Sequence, residues 1–274
     1  MTLPPSSSPA PPDHGTRQEF FDYYARESLN ERTQQRLRGA QEVVVRVLAA
    51  TRPSLECLNV ADIGCGAGSS SILWAKSGHR VHGLDVNEPL VNLARERAQQ
   101  DGLDIEFKVG TAVDLPWDDQ SMDVCLAPEL LEHVADWESC VNEFCRILRP
   151  NGVLYLSTSN KLCPQQQEFT LPLYSWYPGP LKRYCERLAT TTHPQIAGHA
   201  KYPAVNWFSF YQLRRELYER GLHARDRFDL IDTDAKSGLA RGVIRLVRAL
   251  PPLRLLGHMA TPYTIVVAVK GVTA

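Results

Sequence analysis

Residues 59–71 read NVADIGCGAGSSS. An apolar run from Leu58 to Ile63 stops at three alternate glycines, Gly64, Gly66 and Gly68, and a helix-forming run begins at Ser70. A strand that turns through bare backbone into a helix brings main-chain atoms close to a ligand. Glycine accepts the tight turn and leaves no side chain in the way. The dinucleotide fingerprint G-x-G-x-x-G does not fit, because its third glycine falls on Ser69 or Ser71. A P-loop does not fit either, since no G-K-S/T follows. What remains is D-x-G-x-G-x-G, opened by Asp62, with a second acid, Asp85, closing the next apolar run. An acid about 20 residues past such a loop can accept from both hydroxyls of a ribose. The pair therefore predicts an adenosine derivative with no pyrophosphate to be held.

The surrounding pattern agrees with that turn. Strand-like runs (58–63, RVHGLDV, IEFKVG, SMDVCLA, VLYLSTS) alternate with helix-like ones at 70–77, 88–100 and 137–148. Asn87 stands as the N-cap of the second of these helices. Alternation of this kind predicts a parallel sheet covered on both faces. Ahead of it, residues 17–50 read mostly as helix, with Val43, Val44, Val47 and Leu48 on one face and Pro53 as the stop. Residues 209–220 read as a further helix, 228–232 as a strand, and YTIVVAVK at 263–270 as another.

Composition removes several alternatives. The formal net charge of the 274 residues is -1, which gives no global field for nucleic acid. Seven cysteines with no C-x-x-C pair predict a reducing cytosol, without a disulfide framework or structural zinc. Residues 1–16 read as a disordered Pro/Ser-rich tail and not as a signal peptide.

Four stretches together resemble the class I S-adenosylmethionine-dependent methyltransferases: VADIGCGAG, GLDV, GTAVDLPWDDQSMDV and LRPNGVLYLST. The resemblance implies a Rossmann-like, seven-stranded, mostly parallel sheet with helices on both faces. It also implies a lid-like insertion after strand five, about 161–208, within a single domain spanning 17–274. It implies S-adenosylmethionine as cofactor. The backbone from Gly64 through Cys65 and Gly66 to Gly68 would line its amino-acid end. Asp85 with Val86 would hold the ribose, Thr111 and Ala112 would border the adenine, and Pro128 would close the wall. Many family members carry Asp where this chain has Thr111, so Asp114 or a water takes the adenine contact here. Asp62 has two readings, a direct partner of the cofactor's amino group or a carboxylate that only holds the loop.

After the fourth strand the chain reads PELLEHVAD, and this stretch resembles the ubiquinone-pathway O-methyltransferases. On a helical turn Glu129, Glu132 and His133 would share a face at i, i+3 and i+4. The resemblance implies that this trio holds a divalent cation such as Mg. From the residues themselves His133 is equally a general base toward an acidic hydroxyl, or the three simply line the pocket. The acceptor so implied is a small molecule, an aromatic or isoprenoid-like hydroxyl of lipidic character. C- or N-methylation of another metabolite or glycolipid, and a catalytically silent scaffold of a membrane biosynthetic complex, are the alternatives.

Between 161 and 208 lie Phe169, Tyr174, Trp176, Tyr177, Tyr184, Tyr202, Trp207 and Phe208, of which Trp176, Tyr177, Tyr184, Trp207 and Phe208 would either roof a pocket or form a small core of the insertion's own. His193 and His199 of the same stretch are further base candidates or surface residues. Residues 236–259 carry Lys236, Arg241, Arg245, Arg248 and Arg254 and no acid. If 239–250 is helical, Arg241, Arg245 and Arg248 share a face. This segment is either a sheet-covering helix with a solvated arginine face or a peripheral contact with an anionic membrane.

Overall fold

The computed structural model describes residues 18–52, 54–166, 169–196, 206–234 and 236–272. The tail 1–16, Pro53, His199 and Tyr202 lie outside the described residues. The chain opens with α1 (Gln18–Glu27) and α2 (Glu31–Ala49). It continues through β1 (Asn59–Ile63), α3 (Ser69–Lys76), β2 (Arg80–Asp85), α4 (Glu88–Gln100), β3 (Glu106–Val109) and β4 (Met122–Pro128). Then come α5 (Trp137–Ile147), β5 (Leu148–Ser159), α6 (Gly179–Thr191), α7 (Phe210–Glu219) and β6 (Leu222–Asp226). It closes with α8 (Arg227–Leu230), α9 (Gly238–Ala249), α10 (Pro251–Met259) and β7 (Tyr263–Lys270).

The seven strands form one sheet in the order β3-β2-β1-β4-β5-β7-β6. β1 to β5 are parallel, and β7 runs antiparallel between β5 and β6. Strand order reverses at β1, whose neighbours are β2 and β4, and in such sheets the ligand crevice lies at the carboxyl ends of the strands on either side of that switch point. Both faces are covered because every second residue points the other way. In β4, Val124 and Leu126 pack with Val44, Val47 and Leu48 of α2 and Trp74 of α3. Cys125 and Ala127 pack on the opposite side with Phe144 of α5 and Leu213 of α7.

Three differences from the sequence pattern bear on the site. The expected single N-terminal helix breaks at Ser28–Asn30, where the Asn30 side chain accepts from Thr33 N and starts α2. The break lets α1 fold back over the glycine loop. Ser69 Oγ donates to Ser28 O at 2.9 Å, and Arg97 of α4 donates to Ala25 O and Ala67 O. The strand expected at 228–232 is instead α8, preceded by β6. Asp226 and Asp229 form a reciprocal capping box that turns the backbone helical just where the apolar run begins.

The third difference concerns the insertion after β5. It leaves and returns at one point, a bridge between Asn160 and Phe208 with Lys161 N donating to Phe208 O. Its aromatics make a core of their own. Phe169 stacks on Tyr174 with centroids 4.1 Å apart, and Tyr177 and Trp207 pack around them. Phe208 belongs instead to the main core, edge-on to Trp137.

Candidate functional site

Each turn of the glycine loop has a local cause. Gly64, Gly66 and Gly68 all have positive φ (75°, 49° and 79°), which L side chains resist. At Gly68 an added Cβ would also meet the Ala94 Cβ at 2.8 Å and the Phe107 ring at 3.1 Å. Gly68 therefore serves helix–sheet packing at the start of α3. Asp85 draws the loop in from the next strand. One carboxylate oxygen accepts from Gly66 N and the other from Asn87 N, each at 2.8 Å.

A cavity opens at the switch point. Its floor is Gly64 and Gly66 of the loop with Asp85 and Val86 after β2. Gly110, Thr111 and Ala112 after β3 form one side, and Pro128, Glu129 and His133 after β4 form the other. Asn87, Leu90, Leu130 and Val134 complete the wall. Cys65, Gly68, Glu132 and Asp62, all singled out in the sequence, lie outside it, as does Asp114. Cys65 is buried against Val91, Ala94 and Phe107. Gly68 has the packing role just given, and Glu132 is buried. Asp62 lies buried behind the loop, accepting from Ser71 Oγ at 2.6 Å, and its other oxygen, Oδ1, has no hydrogen-bond partner. Burial pushes the Asp62 carboxyl up to about 6 against the Ser71 bond, and the negative neighbour Asp85 adds to the rise.

The expected cation triad is corrected by the backbone. Glu129 has φ 52° and sits before the short 3-10 turn Leu131–His133, so helical spacing does not apply to it. Its N–H is drawn to Ser157 O of β5 at 2.7 Å, and its carboxylate pairs with Arg36 of α2. Among the described residues no group of three His, Cys, Asp or Glu side chains is placed to hold a metal. His133, by contrast, does face the cavity. Its turn is fixed by Asn206 at the end of the insertion, whose side chain donates to Leu131 O and Val134 O and whose N–H donates to Glu132 O. His193 is exposed beside Thr192 and does not line the cavity.

Arg36 and Asn206 were not legible as site residues. Their contacts span 93 and more than 70 positions respectively, and no motif links the partners. The glycine loop, the acid at the end of β2 and the open crevice at the switch point define the class: a Rossmann-like fold built to seat an adenosine-bearing cofactor. Residues 61–156 match the family described as methyltransferase domain. Over that stretch the chain carries a methyltransferase domain.

The ubiquinone biosynthesis O-methyltransferase of Coxiella burnetii is 35% identical over 108 residues, 39% of this chain and 46% of that protein. That of Rhizobium rhizogenes is 36% identical over 112 residues, 41% of this chain and 45% of that protein. The aligned region thus spans about half the length of these curated relatives. Among solved structures, magnesium protoporphyrin IX methyltransferase from Synechocystis PCC 6803 with bound S-adenosylhomocysteine superposes with a TM-score of 0.54 at 17% identity. The match covers 93% of this chain and 95% of that one, a likeness of fold.

Proposed function

We propose that this chain transfers a methyl group from S-adenosylmethionine to an oxygen of a small aromatic or isoprenoid-like acceptor. The observation that carries the reading is the convergence on one cavity of loop glycines, Asp85, the Thr111–Ala112 pair and His133 from four different strand ends. The residues fit the cofactor. Gly66 would meet nothing within 4 Å were a Cβ added, so the loop leaves room beside bare backbone. An acid stands at the ribose position, and the buried Asp62 oxygen supplies uncompensated negative potential behind the amino-acid end. When bound, the cofactor supplies an electrophilic methyl on a positively charged sulfur.

The chain's own residues position and deprotonate. Asp85 would accept from the ribose hydroxyls while it holds Gly66 and Asn87 in place. Arg36, which pairs with Glu129 of the wall, is the cation available to the cofactor's carboxylate. His133 would take the acceptor's hydroxyl proton, freeing that oxygen to receive the methyl that the cofactor would supply, with S-adenosylhomocysteine as the leaving product. Alignment of acceptor and methyl is the main contribution of such a site. The acceptor class rests on likeness to the curated ubiquinone-pathway relatives over less than half of their length. The cysteines are free thiols, which suits a cytosolic location.

Calorimetric titration of S-adenosylmethionine and S-adenosylhomocysteine tests the reading. Wild type binds both with Kd of about micromolar order. A panel of catechol-type acceptors then identifies the methylated hydroxyl, and His133→Ala lowers kcat with little change in cofactor Kd. Absence of binding of either cofactor by the wild type sinks the proposal.

A further inference from the structure

The β6–β7 connection places α8, α9 and α10 at the same edge of the sheet as the cavity. β5 and β6 both run antiparallel to β7, so Ser159 and Asp226 end their strands where Tyr263 begins its own. The orientation of α9 there is the reverse of a sheet-covering helix. Two of its arginines, Arg241 and Arg248, face the protein. Arg241 Nε donates to Thr233 O at 3.0 Å, while Arg248 donates to Phe228 O at 2.9 Å and to Ile231 O at 2.7 Å. Its aliphatic side chains face out: Leu239, Val243, Leu246 and Leu250, spaced as one helical stripe, are 84%, 54%, 51% and 43% exposed. Leu255 and Leu256 of α10 are exposed as well. The expected solvated arginine face is therefore absent for Arg241 and Arg248, and the solvent side is apolar.

The stripe is held firmly from behind. Arg254 Nε and His258 Nε2 of α10 both reach Asp226 Oδ2, at 2.7 and 2.8 Å. Asn160 ties the end of α10 to the end of β5 through His258 O and Thr261 O. Charge selects what the stripe meets. From residue 235 to 274 the sequence contains no Asp or Glu, and Lys236 ahead of α9 and Arg245 on its flank are exposed. A second copy docked through a two-fold axis would face these cations mainly with themselves, with only the exposed Asp232 and Asp234 ahead of the segment in return. Anionic lipid headgroups match the cations, and an acyl layer accepts the stripe. No helix among the described residues is long and apolar enough to cross a membrane, so the contact is peripheral.

We propose that α9 and α10 form a docking surface for an anionic bilayer, with the cavity edge of the sheet turned toward the lipid so that acceptors can arrive from the membrane. The proposal goes beyond the methyl-transfer reading and is tested without cofactor or acceptor. The full chain is floated with vesicles of phosphatidylcholine containing roughly one-third phosphatidylglycerol, and with phosphatidylcholine alone. Wild type floats with the anionic vesicles and much less with the neutral ones. V243E/L246E lowers the partition coefficient at least about tenfold. Its melting temperature stays near the wild-type value because both side chains already lie in solvent. V243S/L246S is the milder companion and falls in the same direction. K236A/R245A weakens binding to anionic vesicles only. Failure of wild type to float, or equal flotation of the glutamate variant, overturns the proposal. So does self-association in sedimentation velocity that V243E/L246E abolishes while no vesicle binds, since the surface then belongs to a second copy.

Discussion

Two buried carboxylates stand near the ends of strands in this sheet, and the chain treats them oppositely. Asp226, the last residue of β6, is fully served. Phe228 N and Asp229 N cap it on one oxygen, and Arg254 and His258 converge on the other. Burial pushes its carboxyl up, but these bonds outweigh burial and hold it at about 2. Asp62, near the end of β1, has a hydroxyl on one oxygen, nothing on the other, and a second acid for a neighbour. It rises to about 6. A fold that can neutralise a buried acid at one strand end leaves another uncompensated only where something else contributes the cation. The switch point is thus the unfinished end of the sheet, as a site for a positively charged cofactor should be.

The largest expected effect breaks the complete side. Asp226→Ala leaves Arg254 and His258 facing a cavity and detaches α10, at a cost of about 3–5 kcal/mol in unfolding free energy by denaturant titration. Asp62→Asn costs no stability near neutral pH and raises it, because a buried charge is removed; a loss comparable to that of Asp226→Ala would show that the two acids are structural equivalents. Next comes Asp85→Ala. It removes the ribose acceptor together with the anchors of Gly66 and Asn87, and it weakens S-adenosylhomocysteine binding about a hundredfold by calorimetry.

The pH profiles differ in sign. Asp226 is depressed, so its stabilisation is complete above its unfolded value near 3.8 and is lost as pH falls toward about 2. Asp62 is raised, so its penalty is complete above about 6 and is relieved as pH falls toward 3.8. Between those limits the Asp62 contribution changes by about 2 kcal/mol. Comparing wild type with Asp62→Asn by thermal unfolding across this window isolates it. If the two proteins trace parallel curves from about pH 4 to 6, Asp62 carries no raised pKa.

What could be read beforehand follows from how local each cause is. The glycine loop, Asn87 as an N-cap and the alternation of strands are set by residues within a few positions of one another, and they stood in the sequence. The DRFD capping box at 226–229 was equally local and was outweighed by the apolar run behind it. Glu129 was different. E-x-x-E-H has helical spacing, yet a hydrogen bond to Ser157 on the neighbouring strand puts Glu129 in the left-handed region, and no local pattern encodes that. The facing of α9 was hidden for a related reason. Amphipathic periodicity identifies two faces but not which one is buried, and the carbonyls of residues 228–236 that receive Arg241 and Arg248 exist only once α8 has turned.

The smallest effect concerns Glu129 of the cavity wall and the cation that pairs with it. Arg36 and Glu129 form a partly exposed pair, and such pairs contribute at most about 1 kcal/mol to folding. Arg36→Ala and Glu129→Gln should therefore both leave the unfolding midpoint nearly unchanged. Their effects on cofactor affinity separate. If Arg36 serves the cofactor's carboxylate, its loss weakens S-adenosylmethionine binding about tenfold. Glu129→Gln then leaves affinity equal or improved, since it releases the guanidinium from a competing acid. If the pair only ties α2 to the turn after β4, the two variants behave alike, and neither changes affinity beyond what the loosened turn costs through His133. Calorimetry on the two variants side by side decides whether Arg36 completes the unfinished end of the sheet or merely borders it.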